Sequence, residues 1–147
     1  MKRFSVTTIF WALVGVFVAI VSNMMLAPLI PIALKIYTIP FMFISWAVFF
    51  VLGLALIFLT AKKKMKGLLK KFLLLTGASA IGFPVFVILH NLVYGLFIYF
   101  FGQGFWERVG LGDEPFFFIM AIIVCPLGFL FGVVGTIVLF TKRRNGF

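Results

Sequence analysis

The chain contains four long apolar runs. Shorter segments that carry most of the charge separate them. The runs cover residues 7–27, 41–60, 72–101 and 115–141, and the connections cover residues 28–40, 61–71 and 102–114. Each run is as long as a helix needs to cross the hydrocarbon core of a bilayer, which takes about 20 residues. The pattern predicts an all-α, polytopic membrane protein, a four-transmembrane-helix bundle that forms a single integral membrane domain over residues 1–147.

The composition supports this prediction. Hydrophobic residues make up 65% of the chain and charged residues 11%, against roughly 45–50% and 25% in soluble domains. Little sequence remains for a soluble catalytic or nucleic-acid-binding module, and we expect no nucleic-acid partner. The first run is longer than the apolar core of a signal peptide and is followed by no small-residue cleavage pattern, so we interpret it as a retained span.

The positive charge is concentrated at three places. All but two of the 13 Lys and Arg residues lie at Lys2-Arg3, at residues 62–71 and at residues 142–144. Short connections rich in Lys and Arg stay on the cytoplasmic side, so we predict that both termini and the basic connection are cytoplasmic. We expect the protein to lie in the plasma membrane. The basic connection is also expected to contact anionic lipid headgroups. A short interfacial helix there is an alternative to a solvated loop.

Small residues recur at spacings of three and four, which favours close helix packing in lipid. In the first run they are Ala12, Gly15, Ala19 and Ser22; in the fourth they are Ala121, Cys125, Gly128, Gly132 and Gly135. A similar face in the third run contains Gly77, Ala80, Pro84, Val87, Asn91 and Gly95. The second run has Gly53 alone. We therefore predict that spans one, three and four form the packed core and that span two lies outside it.

The polar residues of the apolar runs are expected at one height. The helical rise places His90 about 27 Å beyond Phe72, near the outer boundary of a roughly 30 Å core. Asn23 reaches a similar height in the first span, so the two are predicted neighbours. We expect an outward-facing polar cluster, in which Asp113 also caps the fourth helix. Its members are Asn23, His90, Asn91, Tyr94, Asp113 and Glu114, with Glu107 and Arg108 nearby.

Two interpretations of this cluster stay open. His90, the only histidine, either exchanges a proton or binds a ligand in an outward pocket, or it forms hydrogen bonds that only hold the bundle together. No nucleophile signature accompanies His90. A metal site of His90, Asp113 and Glu114 has no supporting motif, and one chain cannot supply two haem histidines. Cys125 is the only cysteine. We expect no enzymatic activity, cofactor or metal.

These observations lead to two functional hypotheses. The first is a small membrane accessory or scaffold subunit, which packs through its small-residue seams against a second copy or a larger membrane complex and presents an outward polar surface to a partner. The alternative is a small-molecule binder or transporter with its site around His90, Asn91 and Tyr94. A haem or quinone protein is a third option.

Overall fold

The computed structural model describes residues 5–29, 31, 35–63 and 65–144. Within these ranges the helices are α1 (Val6–Leu26), α2 (Lys35–Lys62), α3 (Gly67–Phe101), α4 (Phe105–Arg108), α5 (Pro115–Ile119) and α6 (Cys125–Arg144). A 3₁₀ turn, Ala27–Leu29, follows α1, and a π turn, Met120–Val124, joins α5 to α6. No strand occurs in the described ranges. The basic pair Lys2-Arg3 lies outside them, as do residues 30 and 32–34 of the first predicted outer connection.

Four segments of the described chain are long and apolar enough to cross a membrane: Val6–Leu29, Ile39–Lys62, Gly67–Phe101 and Pro115–Lys142. The predicted fold class, an all-α multi-pass membrane bundle, is confirmed. Two helices extend further than the predicted spans. Helix α2 begins at Lys35 and continues through Pro40. Helix α3 begins at Gly67 and has 35 residues, about 52 Å at 1.5 Å per residue.

The long helices form a ring in the order α1, α2, α3, α6, which is packed least closely between α1 and α6. Helix α2 packs against both α1 and α3, and α3 packs along α6. Helices α1 and α6 meet through aromatic rings, since Phe10 contacts Phe140 and Phe17 contacts Phe129 with ring centroids 5.8 and 4.5 Å apart. The centre of the ring is filled by fully buried side chains from all four helices, including Phe10, Leu13, Leu56, Leu73 and Phe129.

The prediction that the second span lies outside the packed core is wrong. A Cβ atom on Gly53 of α2 would lie 3.1 Å from the carbonyl oxygen of Gly77, and one on Gly77 would lie 3.0 Å from the carbonyl oxygen of Gly53. The two backbones therefore approach each other directly. One glycine was enough for close packing because a second glycine faces it across the interface.

Three glycines of the fourth span lie close to α3. A Cβ atom on Gly128 would lie 2.6 Å from the Ser79 hydroxyl oxygen, and one on Gly132 would lie 2.8 Å from the backbone nitrogen of Thr76. At Gly135 the added atom would lie 2.5 Å from the ring of Phe72. This face, which we call the inner seam (Gly128, Gly132 and Gly135), leaves no room for larger side chains.

The small residues of α1 lie on the surface of the described bundle, contrary to the prediction that they pack in its core. Ala12, Gly15, Ala19 and Ser22 are all exposed, and a Cβ atom on Gly15 would meet nothing within 4 Å. We call this face the outer seam. At 100° per residue it lies on the far side of α1 from Phe10 and Leu13, whose burial in the bundle turns the small residues outward.

The π turn ends at Val124, two residues before Pro126 of the fourth span. Proline has no backbone N–H and its ring crowds the carbonyl group four residues earlier. Within the turn the N–H of Cys125 donates to the carbonyl of Met120, five residues back. The fourth span therefore departs from regular α-helix at Met120–Val124, a feature that often accompanies functional sites.

Candidate functional site

The two ends of the bundle differ in chemistry. Helices α1 and α3 begin at the end where α2 and α6 finish, and six lysines lie there: Lys62, Lys63, Lys66, Lys70, Lys71 and Lys142. We call this the basic end. The opposite end carries His90, Tyr94, Trp106, Asp113 and Glu114, and we call it the polar end. The structure thus brings together four of the six residues predicted for the polar cluster.

His90 on α3 faces carboxylates through both ring nitrogens. Its Nδ1 lies 3.1 Å from the backbone carbonyl oxygen of Glu114 and 3.3 Å from the Glu114 Oε2 atom. Its Nε2 lies 3.7 Å from Asp113 Oδ2. The side chain of Glu114 is only 6% exposed, whereas that of Asp113 is 54% exposed. A proton on Nδ1 allows His90 to donate to Glu114, and this contact ties α3 to the start of the fourth span.

Glu114 is also the N-cap of α5. Its Oε1 accepts from the backbone N–H of Phe116 at 2.8 Å, and its Oε2 accepts from that of Phe117 at 3.0 Å. The prediction that Asp113 is the cap is wrong, because Asp113 instead accepts from the Glu114 N–H at 2.6 Å. The cap falls one residue later because helical geometry begins at Pro115, whose fixed φ suits a first helical position.

Tyr94 is held by a residue that sequence reasoning did not select for the site. Trp106 on α4 stacks on the Tyr94 ring, with centroids 6.0 Å apart and planes within 8°, and its Nε1 donates to the Tyr94 carbonyl oxygen at 3.3 Å. The Arg108 guanidinium donates to the carbonyl oxygen of Phe101 at 2.7 Å, satisfying the end of α3. Helix α4 therefore folds back onto α3. The glycines around it were the only sequence signal for such a turn.

Asn91 does not join this cluster. It is exposed, and its Nδ2 donates to the carbonyl oxygen of Val87 on its own helix at 2.8 Å. Successive residues of a helix are rotated by 100°, so the direction that His90 takes toward Glu114 carries Asn91 away. Asn91 instead lines a groove between α2 and α3, beside Trp46 and Pro84. The prediction that it lies on the packing face is wrong.

Asn23 is not joined to His90 either. Its Oδ1 is buried, and no hydrogen-bond partner for it occurs among the described residues. The partners of His90 are Glu114 and Asp113. The expected pairing of Asn23 with His90 depended on height along the bilayer alone, and height leaves open which side of the bundle a residue occupies.

No group of three or more His, Cys, Asp or Glu side chains is placed to hold a metal ion within the described ranges. The Glu114 carboxylate already accepts from two backbone N–H groups. Its remaining contact is with His90. This arrangement supports hydrogen bonding between the His90 imidazole and Glu114.

An apolar cavity of about 210 Å³ lies apart from the polar cluster, between α1 and the fourth span. Its floor includes the buried residues Phe49, Cys125 and Phe129, and its mouth includes the exposed residues Met24 and Ile122. Sequence reasoning missed it, since its walls come from four separate helices and no single stretch of sequence marks them.

Comparison with known proteins provides no family for this arrangement. No family model, curated protein or solved structure matches the chain. The features of the molecule that bear on its function are the outer seam, the polar end and the cavity.

Proposed function

We propose that this protein is a small membrane accessory or scaffold subunit, which associates through the outer seam of α1 with a second copy or with a larger membrane complex and presents its polar end to a partner. The observation that supports the proposal is the open space at the outer seam. A row of small residues favours association only where another helix backbone comes close. The four residues of this row are exposed, and among the described residues an added Cβ on Gly15 would meet nothing within 4 Å.

The substitution Gly15→Leu tests the proposal. It adds no clash within the chain, so the bundle should fold, while the new side chain should keep a partner helix away. We expect association to weaken about tenfold, equivalent to about 1.4 kcal/mol. The measurement is oligomer size in mild detergent, with co-purification from the native membrane as the second readout.

Gly95→Leu is the matched control. Gly95 lies in α3, is exposed, and also has open space around an added Cβ atom. The chemical change is identical, but the residue is outside the outer seam. Association that is unchanged by Gly15→Leu, or reduced equally by both substitutions, would contradict a specific role of the outer seam.

The proposal includes an orientation, with the basic end in the cytoplasm of a cell whose plasma membrane holds the protein. The lysines of the basic end support this placement and also favour contact with anionic headgroups. In a Cys125→Ala background, we expect Gln103→Cys to react with a membrane-impermeant maleimide added outside intact cells, and Lys63→Cys to react only after lysis. The reverse pattern would overturn the orientation.

The alternative function, small-molecule binding at the polar end, is supported by the two carboxylate contacts of His90 and by the neighbouring Tyr94 ring. The centroids of these two rings are 6.5 Å apart. Asn91 falls outside such a site. If the alternative is right, a small molecule that co-purifies with the protein, detected by mass spectrometry, should be lost in His90→Leu and retained in Asn91→Leu. Retention in both variants would reject it.

A further inference from the structure

The cavity between α1 and the fourth span is partly open, since both exposed and buried residues line it. Protein interiors are close-packed, and voids larger than a water molecule are few. A cavity of about 150 Å³ lined by apolar side chains stays free of water and binds benzene. The cavity here measures about 210 Å³, so it has room for an apolar group larger than benzene.

The walls of the cavity exclude a polar occupant. Phe17, Ile20, Phe49, Phe83 and Phe129 are among its lining residues, and of the described lining residues only Ser79 and Cys125 carry a hydroxyl or thiol group. Water needs two to four polar partners in such a site, and a charged group needs a counter-ion. The matching chemistry is hydrocarbon.

The position of the cavity indicates where this hydrocarbon comes from. Val21 and Met24 at the mouth are exposed residues of a membrane-crossing segment. By helical rise Val21 lies about 22 Å from Val6, and Ile122 lies about 10 Å from Pro115, so the mouth is in the half of the bilayer toward the polar end. What surrounds the mouth at that depth is the acyl-chain layer.

The π turn of the fourth span, Met120–Val124, lies beside the cavity. Ile122 of the π turn and Pro126 both line the cavity. Helices α1 and α6 are joined nearer the basic end by the Phe10–Phe140 and Phe17–Phe129 contacts. Beyond Phe17, the cavity separates them. The opening is thus a lateral gap between two membrane-spanning helices.

We propose that this cavity is a lipid site, which holds part of one acyl chain of a membrane phospholipid entering sideways between α1 and the fourth span. The chain fills the void with CH₂ groups that match its apolar walls, while the headgroup stays at the membrane surface on the side of the polar end. The site is distinct from the polar cluster and does not depend on the outer seam.

The test uses the full chain in phosphatidylcholine vesicles that contain a phospholipid with a photoreactive diazirine on one acyl chain. After irradiation, adducts are located by mass spectrometry of peptides. Phe129 is 2% exposed and Cys125 is 5% exposed, whereas Phe131, two residues from Phe129, is 68% exposed. Lipid that only surrounds the protein labels Phe131 but neither Cys125 nor Phe129. A chain inside the cavity also labels Cys125 and Phe129, and this is the expected result.

Two variants narrow the mouth from opposite sides. Val21→Phe enlarges a lining residue of α1 and Ile122→Phe enlarges one of the π turn; Val18→Phe, on the exposed face of α1 outside the lining, is the matched control. We expect adducts at Cys125 and Phe129 to fall about tenfold in either lining variant, equivalent to about 1.4 kcal/mol of binding free energy, with Phe131 adducts unchanged. The control should label like the parent protein.

Two outcomes would overturn the proposal. Adducts at Phe131 without adducts at Cys125 or Phe129 in the parent protein would mean that the cavity holds no lipid chain. An equal fall in Val18→Phe and Val21→Phe would mean that labelling does not report on the mouth.

Discussion

The outer seam of α1 and the inner seam of the fourth span share one sequence pattern and have opposite environments. In both, small residues recur at spacings of three and four. At the inner seam an added Cβ atom would meet side chains or backbone of α3, whereas at Gly15 it would meet nothing within 4 Å. The spacing therefore predicts a face that another helix can approach closely, and it does not predict whether that helix belongs to the same chain.

The residues opposite each seam explain the difference. The inner seam faces Thr76 and Ser79 of α3, which are small and polar and which lipid solvates poorly. The Thr76 hydroxyl donates to the Phe72 carbonyl oxygen at 2.9 Å, which satisfies it within its own helix. In α1 the large apolar side chains Phe10 and Leu13 occupy the centre of the bundle instead.

The largest effect that separates the two seams is expected for Gly132→Leu. The new side chain would meet the Thr76 backbone nitrogen and the Phe72 carbonyl oxygen, which cannot move as a flexible side chain can. We expect the free energy of unfolding to fall by about 3 kcal/mol, at the upper end of overpacking costs. Thermal unfolding in detergent measures it. Unfolding at the same temperature as Gly15→Leu would show that the inner seam is not tightly packed.

A smaller effect is expected for Gly77→Ala, which extends the comparison to α2. The added methyl group would lie 2.7 Å from Cγ1 of Ile57, which can shift, and 3.0 Å from the Gly53 carbonyl oxygen, which cannot. Overpacking costs typically about 1–3 kcal/mol, and the better helix propensity of alanine recovers up to about 1 kcal/mol. We expect a net loss of about 1 kcal/mol by thermal unfolding. A gain in stability would contradict the close approach of α2 to α3 at Gly53 and Gly77.

The smallest effect, and of opposite sign, is expected for Gly15→Ala. With open space around the added methyl group, only the helix propensity changes, and we expect unfolding to become less favourable by about 0.5–1 kcal/mol. The measurement must be made under detergent conditions that keep the protein monomeric, because a partner at the outer seam would oppose the gain. Destabilisation of the monomer would mean that this face packs within the chain after all.

Much of the fold could be predicted from the sequence because the signals were strong and local. Long apolar runs define helices in lipid, where the backbone must satisfy its own hydrogen bonds. The packing partner of each helix was harder to predict. Gly53 stands alone in its run, and its importance depends on Gly77, which lies on another helix at a position that only the folded chain reveals.

The polar end shows the same limit. Helical rise correctly brought His90 and Tyr94 to the end of the bundle that carries Asp113 and Glu114, because rise fixes height. Rotation about the helix axis fixes direction, and it separates Asn91 from His90 although the two are adjacent in sequence. The pairing of Asn23 with His90 failed for the same reason.

The length of α3 has a consequence for the bilayer that accommodates this bundle. From Lys71, the last lysine before its apolar stretch, to Tyr94, which stacks on Trp106, the helix rises about 35 Å. Charged and aromatic anchors of this kind fix the depth of a helix, and typical hydrocarbon thickness is about 30 Å. In a thinner bilayer, this helix must tilt or the bilayer must thicken locally. Hydrophobic mismatch therefore makes the bundle sensitive to membrane thickness.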